Sequence, residues 1–303
     1  MHSIGIDIGG TAIKAGLLDD AGNLVRSARR NSVPSDPDDI VEQTVSLIGE
    51  LAEGLERYSV GVAVAAFLDP TRDTVVLSPN IAWENRPLRA ELESILGVPI
   101  TIENDANAAA WGEFQRGAGL GAESMVMVTL GTGVGGAVIA GGSLLVGSHG
   151  IAGELGHIIV EPDGPQCGCG QFGCLEAVAS ATAFVRDYRE HTGDSDVTTA
   201  NIEQALSNRP ELSAQLFGRA ARGLALALLD VQAVLDPERV VIGGGMADKT
   251  GAFLLPLIEH EWAELSRGRR SHAKPEIRLA TLGNTAGVIG AALASRAADA
   301  GAD

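Results

Sequence analysis

One pattern occurs twice in this chain: an apolar strand, a tight turn of glycine and threonine, then a second apolar segment. Over residues 3–20 it reads as a hairpin around Gly9-Gly10-Thr11, closed by Asp19-Asp20-Ala21-Gly22. Over 126–145 it returns, with Leu130-Gly131-Thr132-Gly133 in the place of the first turn. Repeated strand-turn-strand units with helical periodicity between them constrain the chain to two related α/β domains, with a cleft expected between them. The length allows this, because 303 residues suffice for about two domains of ordinary size, each with its own core.

The intervals can be read the same way. Apolar spacing at Ile40, Val41, Val45, Ile48 and Leu51 predicts a helix over 37–55, and the continuous apolar run 60–68 predicts a buried strand. Another strand is expected from near Val98 to Glu103. It delivers Glu103-Asn104-Asp105 to the mouth of an alanine-rich helix over 104–114, since Asn and Asp are favoured N-caps. Helices are expected over 177–188 and 212–235, a strand at Val240-Val241-Ile242 running into Gly243-Gly244-Gly245, and a last helix over 285–298. The domain boundary is expected near 116–122.

Composition removes several function classes. With 22 basic and 39 acidic residues the formal net charge is −17, a field that repels phosphate backbones and anionic lipid. Nucleic acid and membrane are not expected partners. The segment 124–153 contains no Lys, Arg, Asp or Glu and is long enough to span a bilayer. Gly131, Gly133, Gly135, Gly136, Gly141 and Gly142 break it, so two buried strands are the better reading. The start of the chain shows no basic region, long apolar run or cleavage site, and a cytoplasmic location is the default expectation.

Three glycine turns, Gly9-Gly10-Thr11, Gly131-Thr132-Gly133 and Gly243-Gly244-Gly245, each follow an apolar strand. Phosphate binding favours this composition, because backbone N–H groups can approach the oxygens without a Cβ in the way and a Thr hydroxyl adds a donor. Each turn taken singly can also be no more than a tight turn. No Gly-Lys-Ser/Thr follows any of them, and the third lacks dinucleotide spacing, which argues against a P-loop or Rossmann site. A nucleotide on so acidic a chain needs such local donors and a divalent cation.

The sharpest chemical signal is the set His157, Cys167, Cys169 and Cys174. All 3 cysteines of the chain fall within it, and three thiolates with one imidazole complete a closed tetrahedral site, the pattern of structural zinc. A nucleic-acid zinc finger would share the ligands but needs a basic surface. Glu154 lies three residues before His157, on the same face if that segment is helical, and Glu176 lies two residues after Cys174. Together Glu154, His157 and Glu176 can supply the oriented donors and acceptors a neutral polyol requires. His157 can bind metal with one ring nitrogen and leave the other for a hydroxyl.

Asp105 is the candidate base for phosphoryl transfer to a hydroxyl, which needs a carboxylate for the proton and donors on the leaving phosphate. An N-cap role is the alternative. Asp7, at the end of the first strand, can orient Mg²⁺ or its water, or simply bond the turn.

At these residues the chain resembles the ROK family of sugar kinases and regulators, within the actin-like ATPase superfold. The matching segments are Asp7-Ile-Gly-Gly-Thr11, Glu103-Asn-Asp-Ala-Asn-Ala-Ala109, Leu130-Gly-Thr-Gly-Val-Gly-Gly136, Gly150-Ile-Ala-Gly-Glu-Leu-Gly-His157, Cys167-Gly-Cys-Gly-Gln-Phe-Gly-Cys-Leu-Glu176 and Ile242-Gly-Gly-Gly245. The resemblance implies an α/β fold of two domains, actin-like (ribonuclease H-like), with an interdomain cleft and a structural zinc loop. It places residues 1–118 and 285–303 in a small domain to which the last helix returns, and 119–284 in a larger one.

It further implies an ATP-dependent hexose kinase similar to the bacterial glucokinases of the family, using ATP, Mg²⁺ and structural Zn²⁺. Asp105 matches the base that deprotonates the sugar 6-hydroxyl; Asn80, Asn104, Asp105, Glu154, His157 and Glu176 match sugar ligands. Asp7, Gly9, Gly10, Thr11, Thr132, Gly133 and Gly244 match the nucleotide side, and His157, Cys167, Cys169 and Cys174 the zinc ligands. A homodimer or homotetramer is the implied assembly. Two departures bear on the sugar: Ala66 stands where the family usually has Gly, and Ala12 where a polar residue is common. An N-acetylmannosamine or N-acetylglucosamine kinase is therefore the alternative within the class, and a non-catalytic sugar sensor the alternative outside it. The family's transcriptional repressors carry an N-terminal DNA-binding domain, for which no room is expected before the strand at Ser3.

Overall fold

The computed structural model describes residues 1–269 and 274–300. The chain forms two compact units, the first made of Met1–Gly121, Ser143–Ala152 and the segment from Asn284 on, the second of Ala122–Gly142 and Gly153–Gly283.

The first unit opens with β1 (His2–Ile8), β2 (Ala12–Leu18) and β3 (Leu24–Asn31), followed by α1 (Pro37–Ala52) and β4 (Tyr58–Val64). Three short strands come next, β5 (Phe67–Leu68), β6 (Val75–Leu77) and β7 (Glu84–Arg86), then α2 (Leu88–Leu96), β8 (Ile100–Asn104) and α3 (Asp105–Arg116). The main sheet runs β3-β2-β1-β4-β8. The β1–β2 and β2–β3 pairs are antiparallel, whereas β4 lies parallel to both β1 and β8. Ile4, Ile6, Val60, Val62, Ile100 and Ile102 of this sheet share a core with Ile40, Leu47 and Ile48 of α1. The expected strand over 60–68 stops at Val64. There Ala66 N–H turns back to the Val64 carbonyl at 2.9 Å, and Phe67–Leu68 leaves to pair with β6 in a separate sheet of order β5-β6-β7.

In the second unit β9 (Met125–Leu130) and β10 (Val134–Ala140) form the second hairpin. The segment that follows, beginning with β11 (Ser143–Leu144), groups with the first unit, although the sequence reading put it in the larger domain. Within the first unit Gly150 lies against the Leu68 carbonyl, where a Cβ would approach to 2.8 Å. The helices are α4 (Glu176–Ala179), α5 (Ala181–Thr192), α6 (Ile202–Ser207), α7 (Pro210–Leu235) and α8 (Gly245–Leu265), with β12 (Arg239–Gly243) before α8 and β13 (Glu276–Leu279) after it. The single helix expected over 177–188 is two. Ser180 is extended, and its hydroxyl accepts from Ala183 N–H at 3.1 Å, which caps α5 and ends α4. The strand order β10-β9-β12-β13, antiparallel once and parallel twice, repeats that of β2-β1-β4-β8. The recurrence read in the sequence is therefore a recurrence of topology.

The last helix, α9 (Ala286–Ala300), belongs to the first unit and packs on β1, β4 and α3. It approaches so closely that a Cβ on Gly61 would lie 1.8 Å from the Ala291 carbonyl oxygen, and one on Gly290 1.7 Å from that of Ala108. Arg296 fixes its far end by donating to Ser3 Oγ at 2.8 Å and to the Asp19 carbonyl at 2.5 Å. No helix among the described residues is long and apolar enough to cross a membrane.

Candidate active site

In the first unit the β1–β2 turn is closed by Gly9 N–H donating to the Ala12 carbonyl at 3.0 Å. Asp7 and Lys14 are register partners across the hairpin, and Lys14 Nζ bonds Asp7 Oδ2 at 3.0 Å. Lys14 was not singled out from sequence, yet counting outward from the turn pairs it with Asp7. Gly10 packs against Asn80, whose Cβ would be 3.1 Å from a Cβ at position 10, so the expected sugar contact and the first glycine turn are neighbours. Thr11 is exposed and its carbonyl accepts from Ser32 N–H at 3.2 Å.

The junction of β8 and α3 carries the candidate base. Asn104 is the N-cap of α3: its Oδ1 accepts from Ala106 and Asn107 N–H at 2.9 and 3.1 Å, and its Nδ2 donates to the Ala66 carbonyl at 3.2 Å. Asp105 is the first residue of the helix, and Oδ1 accepts from Ala106 N–H at 2.9 Å. A carboxylate there is held by the positive end of the helix dipole. The N-cap alternative thus falls to Asn104, which frees Asp105 from that task. Ala66 is 5% exposed and packs in the core, and among the described residues it is not one of the non-glycine positions with positive φ. Its Cβ is a core contact, and the backbone there needs no glycine.

In the second unit the β9–β10 turn is held from α4 and α5. Ala181 N–H donates to the Gly131 carbonyl at 2.9 Å, Thr182 Oγ1 to the Thr132 carbonyl at 2.7 Å, and Val134 N–H to Glu176 Oε2 at 3.0 Å. Gly244, with φ +92°, precedes α8 and lies against Leu130, where a Cβ would approach the carbonyl oxygen to 2.5 Å. Only glycine fits both the angle and the space. The second and third glycine turns are thereby adjacent.

Glu154, His157, Glu176 and the cysteines also converge. Leu155–His157 is a 3₁₀ turn, in which residues three apart eclipse, and His157 Nε2 lies 3.9 Å from Glu154 Oε2. The other ring nitrogen, Nδ1, is 3.7 Å from Cys167 Sγ. Burial pushes the Glu154 carboxyl above its ordinary pKa against the pull of His157, and Glu176 acts in the same upward direction. Gly173, at φ +70°, lets the loop return, since a Cβ would lie 1.5 Å from the Glu161 carbonyl oxygen.

The ligand atoms of His157, Cys167, Cys169 and Cys174 all lie within 4.8 Å of one another. Tetrahedral zinc with bonds of about 2.3 Å separates two thiolates by about 3.8 Å, and Cys169 Sγ is 3.7 Å from Cys174 Sγ. The donor set fits zinc. Burial pushes the Cys167 thiol up to about 12 and raises Cys174, while hydrogen bonding from the Gln171 backbone lowers Cys169.

From sequence, Glu103 is placed beside Asn104 without a role of its own, and Arg72 is not singled out. Glu103 is 2% exposed at the end of β8, and its signal was an acidic residue closing an apolar strand; nothing local marks Arg72.

Comparison with known proteins adds independent findings. The ROK family model matches residues 3–297. A glucokinase of Streptomyces coelicolor is 36% identical, covering 98% of this chain and 98% of its own. An N-acetylmannosamine kinase of Salmonella typhi is 33% identical, covering 97% of this chain and 98% of its own. Among solved structures, the ROK family glucokinase of Streptomyces griseus in complex with glucose and AMPPNP is 34% identical with a TM-score of 0.84, covering 98% of this chain and 100% of that one.

Proposed function

The chain belongs to the ROK family, and from that premise we propose that it is an ATP-dependent hexose kinase of the glucokinase type, with Asp105 as the general base. The reading is carried by similarity along nearly the whole chain to a glucokinase solved with glucose and an ATP analogue. It is supported by Asp105 standing at the N-terminus of α3, capped by its neighbour Asn104.

In this reading Asn80, Asn104, Asp105, Glu154, His157 and Glu176 bind the sugar. The 6-hydroxyl gives its proton to Asp105 as its oxygen attacks the γ-phosphorus; one P–O bond forms and the bond to the leaving ADP breaks. An ionised carboxylate on a helix N-terminus is a weak base, adequate where the transition state is loose and the proton moves late. Gly9, Gly10, Thr11, Thr132, Gly133 and Gly244 offer donors to the nucleotide, and Asp7 would orient Mg²⁺ or its water, the ion supplying charge that screens the phosphates. Zinc, held by His157, Cys167, Cys169 and Cys174, supplies no step; it would fix the loop that carries Glu176 and orient His157 with Nε2 toward the sugar. The assembly is a homo-oligomer, and the setting a cytoplasmic one that keeps the thiols reduced.

N-acetylmannosamine kinase is the second reading, favoured by the full-length relative of that activity. ATP consumption with Mg²⁺ over glucose, mannose, N-acetylglucosamine and N-acetylmannosamine separates the two. Asp105→Asn should lose roughly 10²–10⁴ in turnover while still binding sugar. Undiminished turnover in that variant would remove Asp105 as the base, and silence on every sugar would favour a sensor.

A further inference from the structure

We infer that the Arg72–Glu103 ion pair is a positioning device for the base-bearing junction, an assignment that rests on the reading of Asp105 as the base. Glu103 immediately precedes Asn104 and Asp105. Its Oε1 accepts from Asn104 N–H and Asn107 Nδ2, each at 3.0 Å, and its Oε2 accepts from Arg72 Nη1 at 2.5 Å. The Glu103 side chain is 3% exposed and that of Arg72 39%. A buried carboxylate with every oxygen bonded is stiff, while one stripped of its cation is costly and tends to move or neutralise. Glu103 therefore transmits the place of Arg72 to the backbone of Asn104.

The loop that carries Arg72 to Glu103 holds the arginine at a φ of +61°, in the left-handed region that non-glycine residues seldom occupy. Asp69 organises the loop: Oδ1 accepts from Asp73 and Thr74 N–H at 2.9 and 2.7 Å, its carbonyl accepts from Arg72 N–H at 2.9 Å, and the Thr71 hydroxyl donates to Oδ2. Strain of this kind persists where surroundings over-determine it, commonly beside a functional site. The same strand-and-loop segment presents the Ala66 carbonyl to Asn104 Nδ2 at 3.2 Å. Two links, a charged one through Glu103 and a neutral one through Ala66, thus register this loop against the residues that carry the proton transfer. The pair touches no substrate in this scheme; it acts through Asn104 and Asp105.

The test uses the full chain with its metal and compares Arg72→Ala, Arg72→Lys, Glu103→Gln, the double variant Arg72→Gly/Glu103→Gln, and Asp105→Asn as reference. Turnover is expressed per sugar-binding molecule, counted by calorimetric titration, and each melting temperature is recorded. Misplacing a base by a fraction of an ångström costs on the order of tenfold or more in rate. Arg72→Ala and Glu103→Gln are expected to lose about that in kcat, with the sugar dissociation constant, to which Asn104 contributes, changed by a smaller factor than kcat, and Arg72→Lys to recover part of the loss. The double variant is decisive, because it removes both the backbone strain and the lone buried charge. It is expected to melt no lower than the wild type and still turn over about tenfold slower. Wild-type kcat in a stable double variant would reduce the pair to a structural prop and overturn the inference, with Asp105→Asn still inactive. Full turnover in Asp105→Asn would instead overturn the base assignment, and the positioning role with it.

Discussion

Glu176 accepts the backbone N–H of Val134 on Oε2 at 3.0 Å, across Gly133, where a β-carbon would lie 2.3 Å from that same oxygen. Its other oxygen is 3.5 Å from Cys167 Sγ. One carboxylate therefore joins the cysteine loop to the second glycine turn. Gly133→Ala must push the carboxylate away, a shift a side-chain end can make, so the stability cost should be modest, about 1–2 kcal/mol. The apparent KM for ATP should rise on the order of tenfold, about 1.4 kcal/mol of lost binding. Steady-state kinetics at varied ATP measure this, and an unchanged KM would place the turn away from the phosphates.

Metal removal should act through the same carboxylate. Zinc bound by His157, Cys167, Cys169 and Cys174 requires thiolates, and burial holds the Cys167 thiol up to about 12, so protons compete with the ion. Zinc release to a chromophoric chelator should be faster at pH about 6 than at pH about 8. The stripped protein should melt several degrees lower and bind both sugar and nucleotide more weakly. Equal retention at both pH values would argue against thiolate ligation.

Glu161 is predicted to stabilise the second unit in a pH-dependent way. Arg219 donates Nε to Oε1 at 2.9 Å and Nη2 to Oε2 at 2.6 Å, which holds the carboxyl below its ordinary pKa against the upward push of burial. A depressed folded pKa gives stability that is complete above the unfolded value and lost as pH falls through the folded one. Because both side chains are about one-third exposed (31% and 34%), the pair should contribute only about 1 kcal/mol. Urea unfolding of Glu161→Gln should show that deficit at neutral pH and none once the wild-type carboxyl is protonated; a constant deficit would assign the loss to packing.

Gly61→Ala should destabilise the first unit sharply. Its β-carbon would sit 1.8 Å from the Ala291 carbonyl oxygen, and neither backbone can yield without moving α9. Overpacking of this kind costs typically about 1–3 kcal/mol and occasionally more. Thermal melting would register it, and a variant as stable as the wild type would contradict the close approach of β4 and α9.

Much of the architecture was legible because its causes are local. Apolar runs bounded by glycine turns gave the hairpins at 3–20 and 126–145, and the spacing of Ile40, Val41, Val45, Ile48 and Leu51 gave α1 (Pro37–Ala52). Elements without such a signature escaped. β3 (Leu24–Asn31) is an edge strand dominated by exposed and half-exposed residues, and α8 (Gly245–Leu265) begins directly on a glycine run.

By itself the sequence determined the chemistry on offer: which carboxylates, thiols and imidazole the chain brings, at spacings that bonding along a turn or helix can close. His157 with Cys167, Cys169 and Cys174, and Asn104 with Asp105, are such cases. Tertiary structure alone decided which group each of them faces. That Glu103 answers to Arg72, 31 residues away, that Glu176 holds Val134, 42 residues away, and that Gly61 must be bare beneath Ala291 follow from strands and helices meeting in space. Such meetings depend on packing between segments distant in the chain, and residue types along a local window carry no record of them.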